Sequence, residues 1–197
     1  MKERKARFKR KSRETDVAVE INLDSGVSVK VKTTLPFLDH MLDAFAVHGG
    51  FSLKFRAAGD THVDPHHLVE DCGIALGSAI RTALRNSPPV KRAGFFIFPM
   101  DGSVARVALD VCGRPNLVWK IKLDKKAIGG FDPALFRDFF KGLCDSLKAT
   151  LHVCVEYKDN DHHAVEAIFK ALGRALRDAI TPTGTTKTTS SKGRIDD

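Results

Sequence analysis

The chain has 197 residues, 43% hydrophobic and 28% charged, with a formal net charge of +8, the balance of one globular domain or two small ones large enough for a proper core. No apolar run approaches a membrane span and no hydrophobic leader is expected at the start. Cys72, Cys112, Cys144 and Cys154 show no CxxC spacing, so reduced, mostly buried thiols in a cytoplasmic protein are expected.

The charge is concentrated. Residues 1–13, MKERKARFKRKSR, carry eight Lys or Arg against one Glu, a net +7, and residues 14–197 carry 24 basic and 23 acidic residues, a net +1. Such an arm suits nucleic acid or a membrane surface. A single Phe offers little aromatic interleaving for base stacking, so a solvated tail leading into an edge strand is the better expectation, with no nucleic-acid or membrane partner.

Alternation predicts strands over Val17 to Leu23 and Val27 to Val31, with Asp24-Ser25-Gly26 as a hairpin turn between them. Pro36 opens a helix to about His48, ended by Gly49-Gly50. Phe51 to Ala57 reads as a strand and residues 60–65 as a loop, followed by a helix to about Arg85. Pro88-Pro89 punctuates the chain between halves. Strands follow at Gly94–Phe98, Val104–Val111 and Asn116–Leu123. Asp132-Pro133 caps a helix to about Leu147. Thr150 to Tyr157 is a strand, and a last helix runs to about Ile180. The polar remainder, rich in Thr and Ser, is expected to be disordered unless a partner orders it. The units are an arm (1–13), a first half (14–87), a second half (88–181) and a tail (182–197).

The halves repeat one another. His66-His67-Leu68-Val69-Glu70 recurs as His162-His163-Ala164-Val165-Glu166, and His66–Leu84 set against His162–Ile180 gives ten identities in nineteen positions. The repeat extends more faintly upstream, placing His40 opposite Asp138. The fold class is therefore α+β, internally duplicated: two similar halves, each a mostly antiparallel sheet backed by two helices. Gly77 and Gly173 sit at equivalent mid-helix positions, where each costs about 1 kcal/mol relative to Ala; a close helix crossing would explain that cost.

A doubled His-His-x-x-Glu is the raw material of a two-metal site. Positions i and i+4 share a helix face, so His66 and Glu70 can grip one ion, while His67 points about 100° away and serves another. The same holds for His162, Glu166 and His163. The repeat nominates His40, His66 and Glu70 for one ion and Asp138, His162 and Glu166 for the other. His163 completes the first set and His67 the second. A mixed N/O set without thiolate suits a six-coordinate ion such as Mn(II).

The segments LPFLDHMLDAFAVHGGFSL, GDTHVDPHHLVEDCGIALG, PMDGSVARVALDVCGRP and NDHHAVEAIFKALGRALRDAI closely resemble the imidazoleglycerol-phosphate dehydratase family of histidine biosynthesis, from about Arg13 to Gly193. The resemblance implies dehydration of imidazole glycerol phosphate to imidazole acetol phosphate with two Mn(II) ions per active site. It implies the same ligand partition. It also implies a substrate-contacting acid at Glu14, substrate arginines at Arg92 and Arg114, a contact at His48, and a closing segment at Ser190, Ser191 and Lys192. A cytoplasmic homo-oligomer of 24 subunits, built from trimers with active sites shared between chains, is implied as well. Three positions depart from the family pattern: Asp138 stands where many members have His, Gly102 where Glu is usual, and Cys112 where Ser opens the Gly-Arg-Pro turn.

The expected chemistry has the substrate imidazole lose a proton, bridge two metals, and expel the hydroxyl on the adjacent carbon. Glu14 is the expected proton shuttle, working among His67, Glu70, His163 and Glu166. Arg92 and Arg114 suit the phosphate. The same ligands would also serve a di-metal hydrolase or a non-catalytic, metal-stapled assembly protein.

Overall fold

The computed structural model describes residues 3–59, 61–62, 64–85, 87–124, 127–128 and 130–185. The first half comprises β1 (Lys5–Lys11), β2 (Thr15–Asn22), β3 (Ser28–Lys32), α1 (Pro36–Gly49), β4 (Ser52–Gly59) and α2 (His66–Leu84). The second repeats the order: β5 (Ala93–Met100), β6 (Ser103–Asp110), β7 (Asn116–Lys120), a 3-10 turn at Pro133–Leu135 leading into α3 (Phe136–Leu147), β8 (Thr150–Tyr157) and α4 (Asp161–Ala179). Their sheets have one topology, β1-β2-β4-β3 and β5-β6-β8-β7, which is the expected duplicated α+β fold.

Two expectations fail for physical reasons. First, β2 and β3 form no hairpin: β4 lies between them, antiparallel to β2 and parallel to β3. A parallel neighbour needs a crossover, and α1 supplies it. The turn is engaged elsewhere, because Asp24 takes the Arg4 guanidinium at 2.7 Å while Arg4 also donates to the Ile180 carbonyl. Second, the arm is itself the expected edge strand and not a solvated tail leading into it. Residues 5–11 pair with β2 along their whole length, and two of the arm's cations point inward to carboxylates: Arg4, itself buried, to Asp24, and Arg10 to buried Asp71 at 2.6 Å. Thr15 donates to the second Asp71 oxygen, so α2 is fastened to both strands. The first residues of the polar tail are also held, by Thr183 N–H to the Pro89 carbonyl and a bridge between Val90 and Pro182.

Inward positions of the strands (Val17, Val19 and Ile21; Ala105, Val107 and Leu109) are buried against the helices, as period-2 patterning requires. Each sheet carries its own half's helices, but the helices cross between halves: α1 packs on α4 and α2 on α3. Glycine permits both crossings. A Cβ on Gly173 would stand 2.4 Å from the Phe45 carbonyl oxygen, and one on Gly77 2.6 Å from that of Leu143. Phe136, Phe139, Phe140 and Phe169 fill the shared core, with ring centroids 5.2–5.4 Å apart where they meet. Among the described residues, no helix is long and apolar enough to cross a membrane.

Candidate metal centre

The crossings bring helix N-termini of different halves together, and the donors sit there. His40, in the second turn of α1, has Nε2 3.3 Å from Glu166 Oε2, and His162 Nε2 is 3.4 Å from the same oxygen. One donor atom from each of these three residues lies within 4.8 Å of the others. Two imidazole nitrogens and one buried carboxylate at that spacing fit a divalent cation of the Mn(II) type. At the other crossing, His66 Nδ1 is 3.2 Å from Asp138 Oδ2, and Glu70 follows one turn later on α2.

This regroups the residues within one chain. The sequence set His40 with His66 and Glu70, and Asp138 with His162 and Glu166; the fold puts His40 beside His162 and Glu166, and Asp138 beside His66. The reason is the helix exchange: α1 and α3 each lean on the His-His helix of the opposite half. The second histidines face away, as a 100° turn requires. His67 Nδ1 lies 3.1 Å from Glu14 Oε2. His163 Nδ1 lies 3.1 Å from Asp159 Oδ2 and 3.6 Å from Asp101 Oδ2.

Local chemistry sets these ends. Asn160 begins α4, its Oδ1 accepting from His163 N–H at 2.9 Å. At α2 the N-cap is Pro65, and Asp64 just before it accepts from His66 N–H at 2.7 Å. Lys170 is a participant the sequence reading missed. Its Nζ is 2.8 Å from Glu166 Oε1 and lies against the Met100 sulfur and the Phe98 ring. Burial pushes the Glu166 carboxyl up, but Lys170, with help from His40, more than offsets this and holds it below the ordinary carboxylate range. The signal was the i+4 spacing from Glu166 to Lys170. Asp159 was missed too; the Ser103 hydroxyl, with smaller help from His163, lowers its carboxyl to about 2.

The expected substrate arginines stand apart from the donors of their own chain. Arg92, at φ +74°, forks onto Asp110 at 2.8 and 3.3 Å, and its N–H binds the Ala179 carbonyl at the far end of α4, about 20 Å from Glu166 at roughly 1.5 Å per residue. Arg114 is exposed near the start of β8, its carbonyl bonded by Thr150. Since Asp110 pairs with Thr150 in the sheet, both arginines mark one end of the second sheet, and His163 marks the other. His48 does not cap α1, because Gly50 does, in a left-handed conformation. Its ring instead meets Phe98 edge-on at 5.0 Å. Burial, then Lys170 and Arg174, hold it below the ordinary histidine range. Ser190, Ser191 and Lys192 lie outside the described residues.

A sequence model of imidazoleglycerol-phosphate dehydratase matches residues 33–176. The imidazoleglycerol-phosphate dehydratase of Endomicrobium trichonymphae is 46% identical over 98% of this chain and 99% of its own length. That of Geobacter sulfurreducens is 47% identical over 89% and 90%. The crystal structure of the Staphylococcus aureus enzyme superposes with a TM-score of 0.80 at 34% identity, covering 91% of this chain and 99% of that one. The Pyrococcus furiosus enzyme gives 0.79 at 40%, covering 94% and 99%. With its duplicated fold and paired His-His helices, the chain belongs to the imidazoleglycerol-phosphate dehydratase family.

Proposed function

We propose that His40, His66, His67, Glu70, Asp138, His162, His163 and Glu166 hold two Mn(II) ions per active site, and that the chain dehydrates D-erythro-imidazole glycerol phosphate with them. Family membership makes the chain a hydro-lyase of histidine biosynthesis. The convergence of His40, His162 and Glu166 from two halves onto one point carries the metal reading. Bound there, two Mn(II) ions would supply the Lewis acidity that favours a deprotonated, bridging imidazole.

The chain's own residues then have distinct tasks. The substrate loses hydroxide from the carbon beside the ring and a proton from the next carbon, and the resulting enol tautomerises to the ketone. Glu14 suits the proton transfer: its carboxylate is half exposed and anchored by His67 Nδ1, which leaves His67 Nε2 as the free donor. Arg92 and Arg114 suit the phosphate, both residues lying at one end of the second sheet, with the Arg92 fork held there by Asp110. Because that end is remote from the same chain's His163, a complete site takes its arginines and its metal donors from different copies. A cytoplasmic shell of 24 subunits built from trimers, with no nucleic-acid or membrane partner, belongs to this proposal. Ser190, Ser191 and Lys192 would close over the substrate.

The test is turnover by metal-stripped protein with and without added Mn(II), read as formation of the imidazole acetol phosphate ketone. Mn(II)-dependent turnover is the expected result. Protein that binds about two Mn(II) per chain yet gives no ketone would sink the dehydration reading and leave the hydrolase or assembly role. Turnover unchanged by chelation would remove the metal.

A further inference from the structure

The two outward histidines have unequal neighbours. In the first half, the partner of His67 Nδ1 is Glu14, the residue just before the buried hydroxyl Thr15 that opens β2. In the second half, the buried hydroxyl opening β6 is Ser103, and the residue before it is Gly102. The position that supplies a carboxylate to one histidine supplies no side chain to the other. The space is taken. A Cβ on Gly102 would stand 2.8 Å from Asp159 Cβ and 3.1 Å from its Cγ. Asp159 is fixed by the Ser103 hydroxyl at 2.6 Å and places both carboxylate oxygens 3.1–3.2 Å from His163 Nδ1.

We propose that Asp159 is the positioning residue of His163, standing in for the carboxylate that Gly102 cannot provide and fixing the tautomer that presents Nε2 to a metal. This rests on the metal-binding role assigned to His163 above. A competitor is present. Asn160 Oδ1 is tied to His163 N–H, which turns its Nδ2 toward the ring, 2.8 Å from Nδ1. If the amide donates to Nδ1, the proton sits on Nε2 and closes the ligand position. If Asp159 accepts from Nδ1–H, Nε2 is bare. The acceptor here is a carboxylate, held in place by a buried hydroxyl, and a charge-assisted bond is roughly twice as strong as a neutral one. Asp101, farther off at 3.6 Å, adds to the same side.

The test compares wild type with Asp159→Asn, Asp159→Ala, Ser103→Ala and the double variant Gly102→Glu/Asp159→Gly, in which glycine removes the Cβ that would meet the new side chain. Mn(II) titrations followed by the electron spin resonance of free Mn(II) give affinity, and ring-nitrogen chemical shifts of His163 in metal-free protein give the tautomer. Asp159→Asn retains the size and the Ser103 bond but offers a second amide to Nδ1. It is expected to move the proton to Nε2 and weaken one class of Mn(II) site about 10- to 100-fold. The double variant, with its carboxylate restored from the β5–β6 turn, is expected to recover most of that affinity. Ser103→Ala, which loosens Asp159 without removing it, should fall between. Unchanged tautomer and affinity in Asp159→Asn would overturn the proposal, whatever the melting temperature of the variants. Absence of Mn(II) binding by the wild type would overturn the metal reading instead, and the tautomer would still judge Asp159.

Discussion

Helices α2 and α4 carry the same donors at the same spacing, yet their glutamates live in different surroundings. Glu166 is buried and bonded to Lys170 four residues on. Glu70 is half-buried, and Ile74 occupies the equivalent place. Their outward histidines differ likewise, one held by Glu14 from the turn between β1 and β2 and the other by Asp159 from the turn before α4. The two halves share the imidazole and carboxylate positions and differ in the groups behind them. What must match between the halves is the donor atom's position, and several side-chain arrangements deliver it.

The largest expected effect tests whether the two crossings that create the donor clusters are equally tight. Gly173→Ala would put a methyl 2.4 Å from the Phe45 oxygen and 2.8 Å from Gly49 N, both backbone atoms that cannot rotate away. Overpacking costs roughly 1–3 kcal/mol or more, against about 1 kcal/mol of helix propensity gained. A net loss of about 2 kcal/mol is expected in chemical denaturation. Gly77→Ala, at 2.6 Å from the Leu143 oxygen, should lose somewhat less. Wild-type stability in either variant would mean that its crossing relaxes at no cost.

A smaller effect addresses the glutamates themselves. Lys170→Met leaves Glu166 buried without its cation. Removing one partner of a well-buried pair can cost about 3–5 kcal/mol; Lys170 retains some exposure and His40 remains nearby, so about 1–2 kcal/mol is expected in metal-free protein. Added Mn(II) should return part of that loss, because a bound cation is an alternative counter-charge and binding to the folded state stabilises it. Ile74→Met on the other helix, a near volume-conserving exchange, should cost less than about 1.5 kcal/mol and show no such recovery. Equal losses in the two variants would erase the proposed asymmetry.

Much of this was legible in the sequence. The His-His-x-x-Glu repeat placed α2 and α4 with their donors, and Gly77 and Gly173 pointed to the crossings. What could not be read was which helix crosses which, since helical periodicity marks an apolar face without naming its partner. His40 was therefore grouped by repeat with His66, and within one chain it lies beside His162. The arm misled for a related reason: its charge pattern hides that Arg4 and Arg10 point inward to Asp24 and Asp71, so a strand looked like a solvated tail. The Asp24-Ser25-Gly26 turn had hairpin chemistry, but local signals do not report that β4 will enter between its strands.

The smallest effect asks whether the halves unfold as one unit. Cys72 on α2 and Cys144 on α3 come from different halves but lie on the two helices of one crossing. Burial, reinforced by neighbouring carboxylates, pushes both thiols up, Cys144 to about 12 and Cys72 further. Since the thiolate is the reactive form, neither should react with a thiol reagent in the native protein at neutral pH, while half-buried Cys154 on β8 reacts first. With rising denaturant, the crossing predicts that Cys72 and Cys144 become reactive at one midpoint, because neither helix keeps its buried face without the other. Two separated midpoints, read by mass spectrometry of the labelled peptides, would mean that the first half holds together without the second, and that the exchange of helices joins two domains that fold independently.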